Sequence, residues 1–330
     1  MIDNWTRRTF LKAAGAAGVA GMLPVALAGG EGKAGSRVAI ARAKESIGKD
    51  ADVKADTVKQ LVDAAITSVH ETKTADEAWK GLFLPGDRVA IKVNTLAGAR
   101  LSTHRSVAEA VVAGLLAAGV AGGNIVVFDR MEREMGRAGY TVGTAATGVR
   151  CTGTDSAEFG YGGRIITAGE TGSLWSRIVT DFATAIVNVP VLKDHDLSGV
   201  SLGMKNFYGV IHNPNKYHDN GCDPYIADIS ASQYIRGKLR LVVIDALTAQ
   251  ADGGPAYRQD GSYAYAGVIA GGDPVAVDAT GWREIETLRK DMGYKSLADA
   301  GREPVHIMTA ARRGLGNCDE AKVAVTRIEV

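Results

Sequence analysis

Cysteine is nearly absent from this chain of 330 residues. Three occur, Cys151, Cys222 and Cys318, far apart and without a C-x-x-C pair. That spacing excludes a self-contained four-cysteine zinc or iron–sulfur site within one chain. In an oxidising compartment two of the three can pair, leaving one over, and the spacing does not choose the pair. A surplus of charge is lacking as well: 38 Lys and Arg against 37 Asp and Glu leave +1. A near-neutral chain has no general attraction to nucleic acid or to anionic membrane. Aromatic residues make up only 6%, and prolines number 8 against 41 glycines. Small and branched residues in place of aromatics suit close packing of helices on a sheet. After the first thirty residues no apolar run is long enough to span a bilayer of about 30 Å. Also missing are internal repeats, low-complexity linkers, and the G-x-S-x-G, H-E-x-x-H and EF-hand patterns.

What is present begins with an address. Thr6-Arg7-Arg8-Thr9-Phe10-Leu11-Lys12 sets two arginines before a weakly apolar run from Ala13 to Leu27. This is the twin-arginine form of a bacterial export signal. Ala26-Leu27-Ala28 supplies small residues for cleavage after Ala28, leaving Gly29 as the new N-terminus. Residues 1–28 are therefore expected to be a signal peptide and 29–330 a single α/β domain. Arg7, Arg8 and Lys12 against Asp3 give the leader +2, so the remainder carries −1. The expected location is periplasmic or otherwise exported, with the twin-arginine translocase as one partner and no membrane span after cleavage. Because that route carries folded proteins, often loaded with a cofactor, a metal ion or an iron–sulfur cluster is an expectation.

Hydrophobic periodicity predicts strands at 37–41, 88–94, 124–129, 185–190, 239–245, 266–270 and 322–328. Helices are predicted at 56–70, from Ser106 as N-cap to Ala118, and from Val275 through Arg289 behind an Asp273 cap. Alternating strands and helices predict an α/β fold, a mostly parallel sheet with helices on both faces. Asn94 and Asp129 then fall at strand C-termini, where open α/β sheets place their sites. Gly136 to Gly163 reads as a glycine-rich loop with short strands.

The segment from Lys193 to Pro224 is dense in His, Lys, Asn, Asp and Gly and almost without periodicity. Long irregular segments inside a compact domain are usually functional. It holds His195, His212, His218, Cys222, Lys193, Lys205 and Asn206. Imidazole and thiolate are the usual soft and borderline metal ligands, and His218 and Cys222 stand four apart across a glycine turn. The same histidines can serve as bases, and the thiol as a nucleophile. Gly203 and Gly209 bracket Lys205-Asn206 and permit close backbone approach. Lys205 is placed to hold a carboxylate or phosphate, or to pair with a buried acid. Asp245 closes an apolar strand and is a further candidate beneath the loop. Gly314-Leu315-Gly316-Asn317 is a weak phosphate-loop signal.

Several of these blocks resemble one family. Asn188 to His195, then Val200 to Gly209 with Met204-Lys205-Asn206, are similar to the signature of the domain-of-unknown-function 362 family. His218…Cys222-Asp223-Pro224, followed by Ile226-Ala227-Asp228, resembles its twin-arginine-exported branch. Leu241 to Leu247 and Asp273 to Asp278 match its downstream blocks. The resemblance implies an α/β domain that in some relatives is joined to ferredoxin-like iron–sulfur modules, whose cysteine runs this chain lacks.

Three functional expectations follow. In the first, Cys222, His218, His195 and His212 bind a metal ion or cluster, and the protein serves redox or electron transfer with a redox partner or by self-assembly. In the second, Lys193, Lys205, Asn206 and Asp245 belong to an enzyme acting on a small anion without a cofactor. A non-catalytic binding or assembly role is the third possibility.

Overall fold

Unbroken apolar runs such as Val89-Ala90-Ile91, Ile125-Val126-Val127 and Ala185-Ile186-Val187 decide the architecture, because these strands bury both faces. The computed structural model describes residues 35–48 and 53–330. The expected signal peptide and cleavage site lie outside the described residues. In chain order the strands are β1 (Ser36–Arg42), β2 (Val89–Val93), β3 (Ile125–Asp129), β4 (Gly143–Thr144), β5 (Arg150–Gly153), β6 (Ile166–Ala168) and β7 (Thr171–Ser173). They continue with β8 (Ala185–Val189), β9 (Val191–His195), β10 (Gly199–Ser201), β11 (Leu239–Gln250), β12 (Ser262–Gly271) and β13 (Val323–Glu329). The α-helices are α1 (Ala55–His70), α2 (Ala75–Leu82), α3 (Arg105–Ala117), α4 (Glu132–Arg137), α5 (Gly203–Asn206), α6 (Tyr225–Ala231), α7 (Gln233–Arg236), α8 (Pro274–Asp291) and α9 (Val305–Arg312).

Eleven strands form one sheet in the order β13-β1-β12-β11-β8-β2-β3-β5-β4, with β9 added on β11 and β10 on β9. The stretch β11-β8-β2-β3-β5 is parallel throughout. Antiparallel pairs join β1 to β12 and β12 to β11. The architecture is thus α/β with a mixed, largely parallel sheet flanked by helices, as the alternation predicts. One face packs Ile91, Val187 and Val243 against Leu61, Ile66, Val111 and Leu115 of α1 and α3. The other packs Ala90, Ile186, Val242 and Ile244 against α6, α8 and α9. Val127, Val187, Val189, Val243 and Ile244 are buried, as expected. No helix among the described residues is long and apolar enough to cross a membrane.

Most predicted elements appear within a residue or two, and three readings are corrected. Ser106 lies inside α3 and does not cap it: His104 holds the N-cap position, and the Ser106 hydroxyl has no partner. Asp273 does cap α8, accepting from Val275 N and Ala276 N, with Pro274 in the first turn where its missing N–H costs nothing. The Gly314–Asn317 turn serves that cap, since Asn317 N donates to Asp273 Oδ2 and Gly316 leaves no room for a Cβ there. It is a structural turn rather than a phosphate loop. The long segment after Lys193 is not irregular from its start. Lys193, Asp194 and His195 are the end of β9, which turns back antiparallel into β10 before short helical turns take over.

Candidate active site

Parallel strands β2, β3 and β8 bring their C-terminal ends to one edge of the sheet. There they open a cavity of about 320 Å³. Register places Lys92 of β2 directly beside Asn188 of β8 and Phe128 of β3, so Asp129 follows one step on. Lys92 and Asp129 form an ion pair at 2.7 Å, almost wholly out of solvent. The Lys92 amine also donates to Val93 O at 2.6 Å and Asn206 Oδ1 at 3.1 Å, so its three donors are used. Asp129 accepts further from Thr95 N, Thr95 Oγ1 and Arg130 N. Burial opposes its charge, but the Lys92 ammonium and the Thr95 donors outweigh that and hold the carboxyl below its usual range. Gly209 lies against this pair. A Cβ there would stand 2.7 Å from Lys92 Cε and 2.9 Å from Asp129 Oδ1.

A chain of amides extends from this pair. Asn206 Oδ1 also accepts from Asn94 Nδ2 at 3.1 Å, and Asn206 Nδ2 donates to Asn188 Oδ1 at 2.8 Å. Lys193 donates to Asn94 Oδ1 at 2.9 Å. Because lysine can only donate when charged, Lys92 and Lys193 fix which way both amides face. Lys193 is fully buried behind Asn94, with no carboxylate in ion-pair contact among the described residues. Burial pushes its amine down to about 7, opposed in part by the Asp129 charge.

The opposite wall comes from α5 and the turn after it. Fully buried Asp278 of α8 accepts Gly203 N at 2.7 Å and Met204 N at 2.9 Å, pinning the start of α5. Helix α5 then delivers Lys205 and Asn206 to the cavity. Lys205 Nζ meets His218 Nε2 at 3.0 Å and lies 3.8 Å from the centre of the Tyr208 ring. His218 Nδ1 is 2.9 Å from Pro214 O. A carbonyl only accepts, so Nδ1 carries the proton and Nε2 is bare. Burial pushes the Lys205 amine down to about 8, and burial together with Lys205 lowers His218. His195 stacks beside His218 with ring centres 5.8 Å apart. Its Nδ1 accepts Leu197 N–H at 3.1 Å, which leaves N–H on Nε2. The exposed Asp196 carboxylate also stands 2.9 Å from Nδ1, but burial keeps the ring neutral, pushed down to about 2. Arg130, Glu134 and Asp196 line the outer part of the cavity.

The sequence signature described as domain of unknown function (DUF362) matches residues 89–283, more than half of the chain. The chain belongs to this family. The matched span of the DUF362 fold runs from β2 into α8 and contains every cavity residue named above. No curated protein matches the chain. Among solved structures, a Thermotoga maritima protein determined by structural genomics is similar over 73% of this chain at 13% identity and a TM-score of 0.41. The chain spans 59% of that protein's length.

In this DUF362 member the expected residues divide into two groups. Lys193, His195, Lys205, Asn206 and His218 converge on the cavity or on the network beneath it. His212 and Asp245 do not; Cys222 does not line the cavity but lies close enough to Lys205 for their charges to interact. His212 packs edge-on against Tyr161 in a separate crevice with Asp155, and Arg130 lines both this crevice and the cavity. Cys222 is fully buried in the core beside Tyr208 and Ser198, and burial raises its thiol. All three cysteines are unpaired. Asp245 is not the end of its strand. It faces the other side of the sheet, accepting from His104 N at 2.6 Å and lying 2.8 Å from His104 Nδ1. Among the described residues no three His, Cys, Asp or Glu side chains are gathered as a metal ion requires. His218 turns its bare Nε2 to Lys205, and Cys222 is enclosed in the core.

Lys92, Arg130 and Glu134 are not legible as site residues; Asn188 and Asp278 stand in the family's blocks without an assigned role. Lys92 gives one usable signal, a charge in the middle of an otherwise apolar strand. Asn94 and Asp129 are marked by their place at strand ends.

Proposed function

We propose that the cavity binds a small anionic substrate, a carboxylate or phosphate, and that Lys205 and His218 exchange a proton with it. One observation carries this reading. The Lys205 amine lines the cavity, is almost wholly buried, and has no carboxylate in ion-pair contact among the described residues. A buried ammonium without a counter-ion costs several kcal/mol, which an anionic ligand offsets. Lys193 adds a second uncompensated amine behind it, whereas Lys92 is already neutralised by Asp129.

Chemically, an amine near 8 is present in both protonation states around neutral pH, so it can give or take a proton. His218 presents a bare Nε2 to that amine and accepts what it sheds. His195, kept neutral, offers an N–H to a substrate oxygen. Glu134 and Asp196 at the rim favour a ligand small enough to sit inside them.

The test is thermal unfolding and calorimetry with phosphate, oxalate and malonate at pH 6.5 and pH 9.5. Stabilisation is expected at the lower pH, where Lys205 is charged, and its loss at the higher pH and in Lys205→Met. An anion response that is unchanged in Lys205→Met overturns the reading.

We also propose that the protein is exported folded, as in the twin-arginine branch of the family. Arg7-Arg8 before an apolar run and the Ala26-Leu27-Ala28 site support this.

A further inference from the structure

The cavity holds more than a charge for an anion. We infer that Lys205 is a nucleophilic amine that forms an imine with the carbonyl carbon of a small oxo-acid. The inference rests on the anion-site reading above and names its substrate class.

Three buried lysines surround the cavity, and their hydrogen bonds separate them. Lys92 spends all three donors on Val93 O, Asp129 and Asn206, and its charge is fixed by the carboxylate. Lys193 is fully enclosed, donates to Asn94 Oδ1, and does not line the cavity. Lys205 lines it; its hydrogen-bond partner is a histidine nitrogen, and the Cys222 thiol and Asp196 carboxylate stand near enough to act on its charge. A nucleophile needs a lone pair, a nearby base and a group that orients the base. Lys205, His218 Nε2 and Pro214 O stand in that order, at 3.0 Å and 2.9 Å. Burial, which brings the amine to about 8, supplies the neutral fraction. The stacked His195, with N–H on Nε2, is a donor for the carbonyl oxygen or the acid group.

The step balances without an oxidant or cofactor. His218 Nε2 takes one proton from the Lys205 ammonium, and the freed Nζ lone pair attacks the carbonyl carbon: the N–C bond forms and the C=O π electrons move to oxygen. A second Nζ proton passes to that oxygen, giving the carbinolamine. His218 returns its proton to the hydroxyl, which leaves as water while the nitrogen lone pair makes C=N, with the third proton still on nitrogen. The imine is an electron sink for proton loss or bond cleavage next to the former carbonyl.

The experiment incubates the full chain with pyruvate or glyoxylate and sodium cyanoborohydride, then reads intact mass and peptide maps. A single reduced adduct on Lys205 is expected. It should be absent from Lys205→Met and from Lys205→Arg, the latter keeping the charge but not the nucleophile. His218→Asn should slow trapping by about 100-fold, the scale of a lost general base. Adducts scattered over surface lysines, or unchanged in Lys205→Met, overturn the inference. If oxalate stabilises the protein and Lys205→Arg retains that response while no adduct forms, imine chemistry is refuted and the anion site stands. If neither anion nor oxo-acid engages Lys205, both fail.

Discussion

Replacing Gly209 with Ala tests how tightly the backbone is fitted to the Lys92–Asp129 pair. The added Cβ would lie 2.7 Å from Lys92 Cε, 2.8 Å from Lys92 Nζ and 2.9 Å from Asp129 Oδ1. Carbon atoms in comfortable contact stand about 3.5–4.0 Å apart, so something must move by nearly an ångström. A lysine end is ordinarily free to yield. Here it is held by Val93 O, Asp129 and Asn206, and Asp129 is held in turn by Thr95 and Arg130. Overpacking of this kind costs about 1–3 kcal/mol. Displacing one charge-assisted hydrogen bond adds roughly 1.5–3 kcal/mol. We expect a loss of about 3–5 kcal/mol by denaturant unfolding at constant m-value, together with weakened anion binding. Gly81→Ala is the control. Gly81 lies in α2 with nothing within 4 Å of the new Cβ. That change should stabilise by about 0.5–1 kcal/mol through helix propensity. A Gly209→Ala protein within about 0.5 kcal/mol of the parent, a span typical of neutral surface changes, would refute the reasoning.

Three further outcomes follow from other parts of the molecule. Val243→Ala removes a fully buried side chain from the centre of β11 and should cost about 1–3 kcal/mol in chemical unfolding; no loss would mean the sheet centre is not the core. Burial raises the Asp278 carboxyl from 3.8 to about 7, outweighing its two backbone donors, so the folded state keeps a proton that the unfolded chain releases. That group's contribution to stability should therefore fall as pH rises from about 4 to 7, by at most about 1.4 kcal/mol per pH unit, and level off above. Asp278→Asn should flatten that part of a melting-temperature profile, and parallel profiles would count against the assignment. Changing Arg7 and Arg8 together to Lys should leave the precursor in the cytoplasm, with Gly29 as the N-terminus of exported wild-type protein; unimpaired export in a strain lacking the twin-arginine pathway would sink that proposal.

Local chemistry was enough for much of the framework. The 3.6-residue repeat of Val58, Leu61, Val62, Ala65 and Ile66 makes α1 whatever its neighbours are, and all five are buried. Asp273 before Pro274 caps α8 because the cap needs only the next three residues. The switch between strand and helix periods, repeated along the chain, implied a covered parallel sheet and marked Asn94 and Asp129 as lying at its functional edge. Which polar groups meet there was decided by tertiary structure, because strand order and register are long-range. Lys92 and Asp129 are 37 residues apart and become partners only when β2 lies beside β3. His212 and His218 are six residues apart, yet the short turns between them send one to an outer crevice and the other to Lys205. The apolar run ending at Asp245 predicts a strand terminus there, but β11 continues to Gln250 and the pleat turns the carboxylate to His104 on the opposite face. A sequence displays which residues carry chemistry. The direction a side chain points depends on the parity of a strand and the packing of a turn, and those depend on segments far away in the chain.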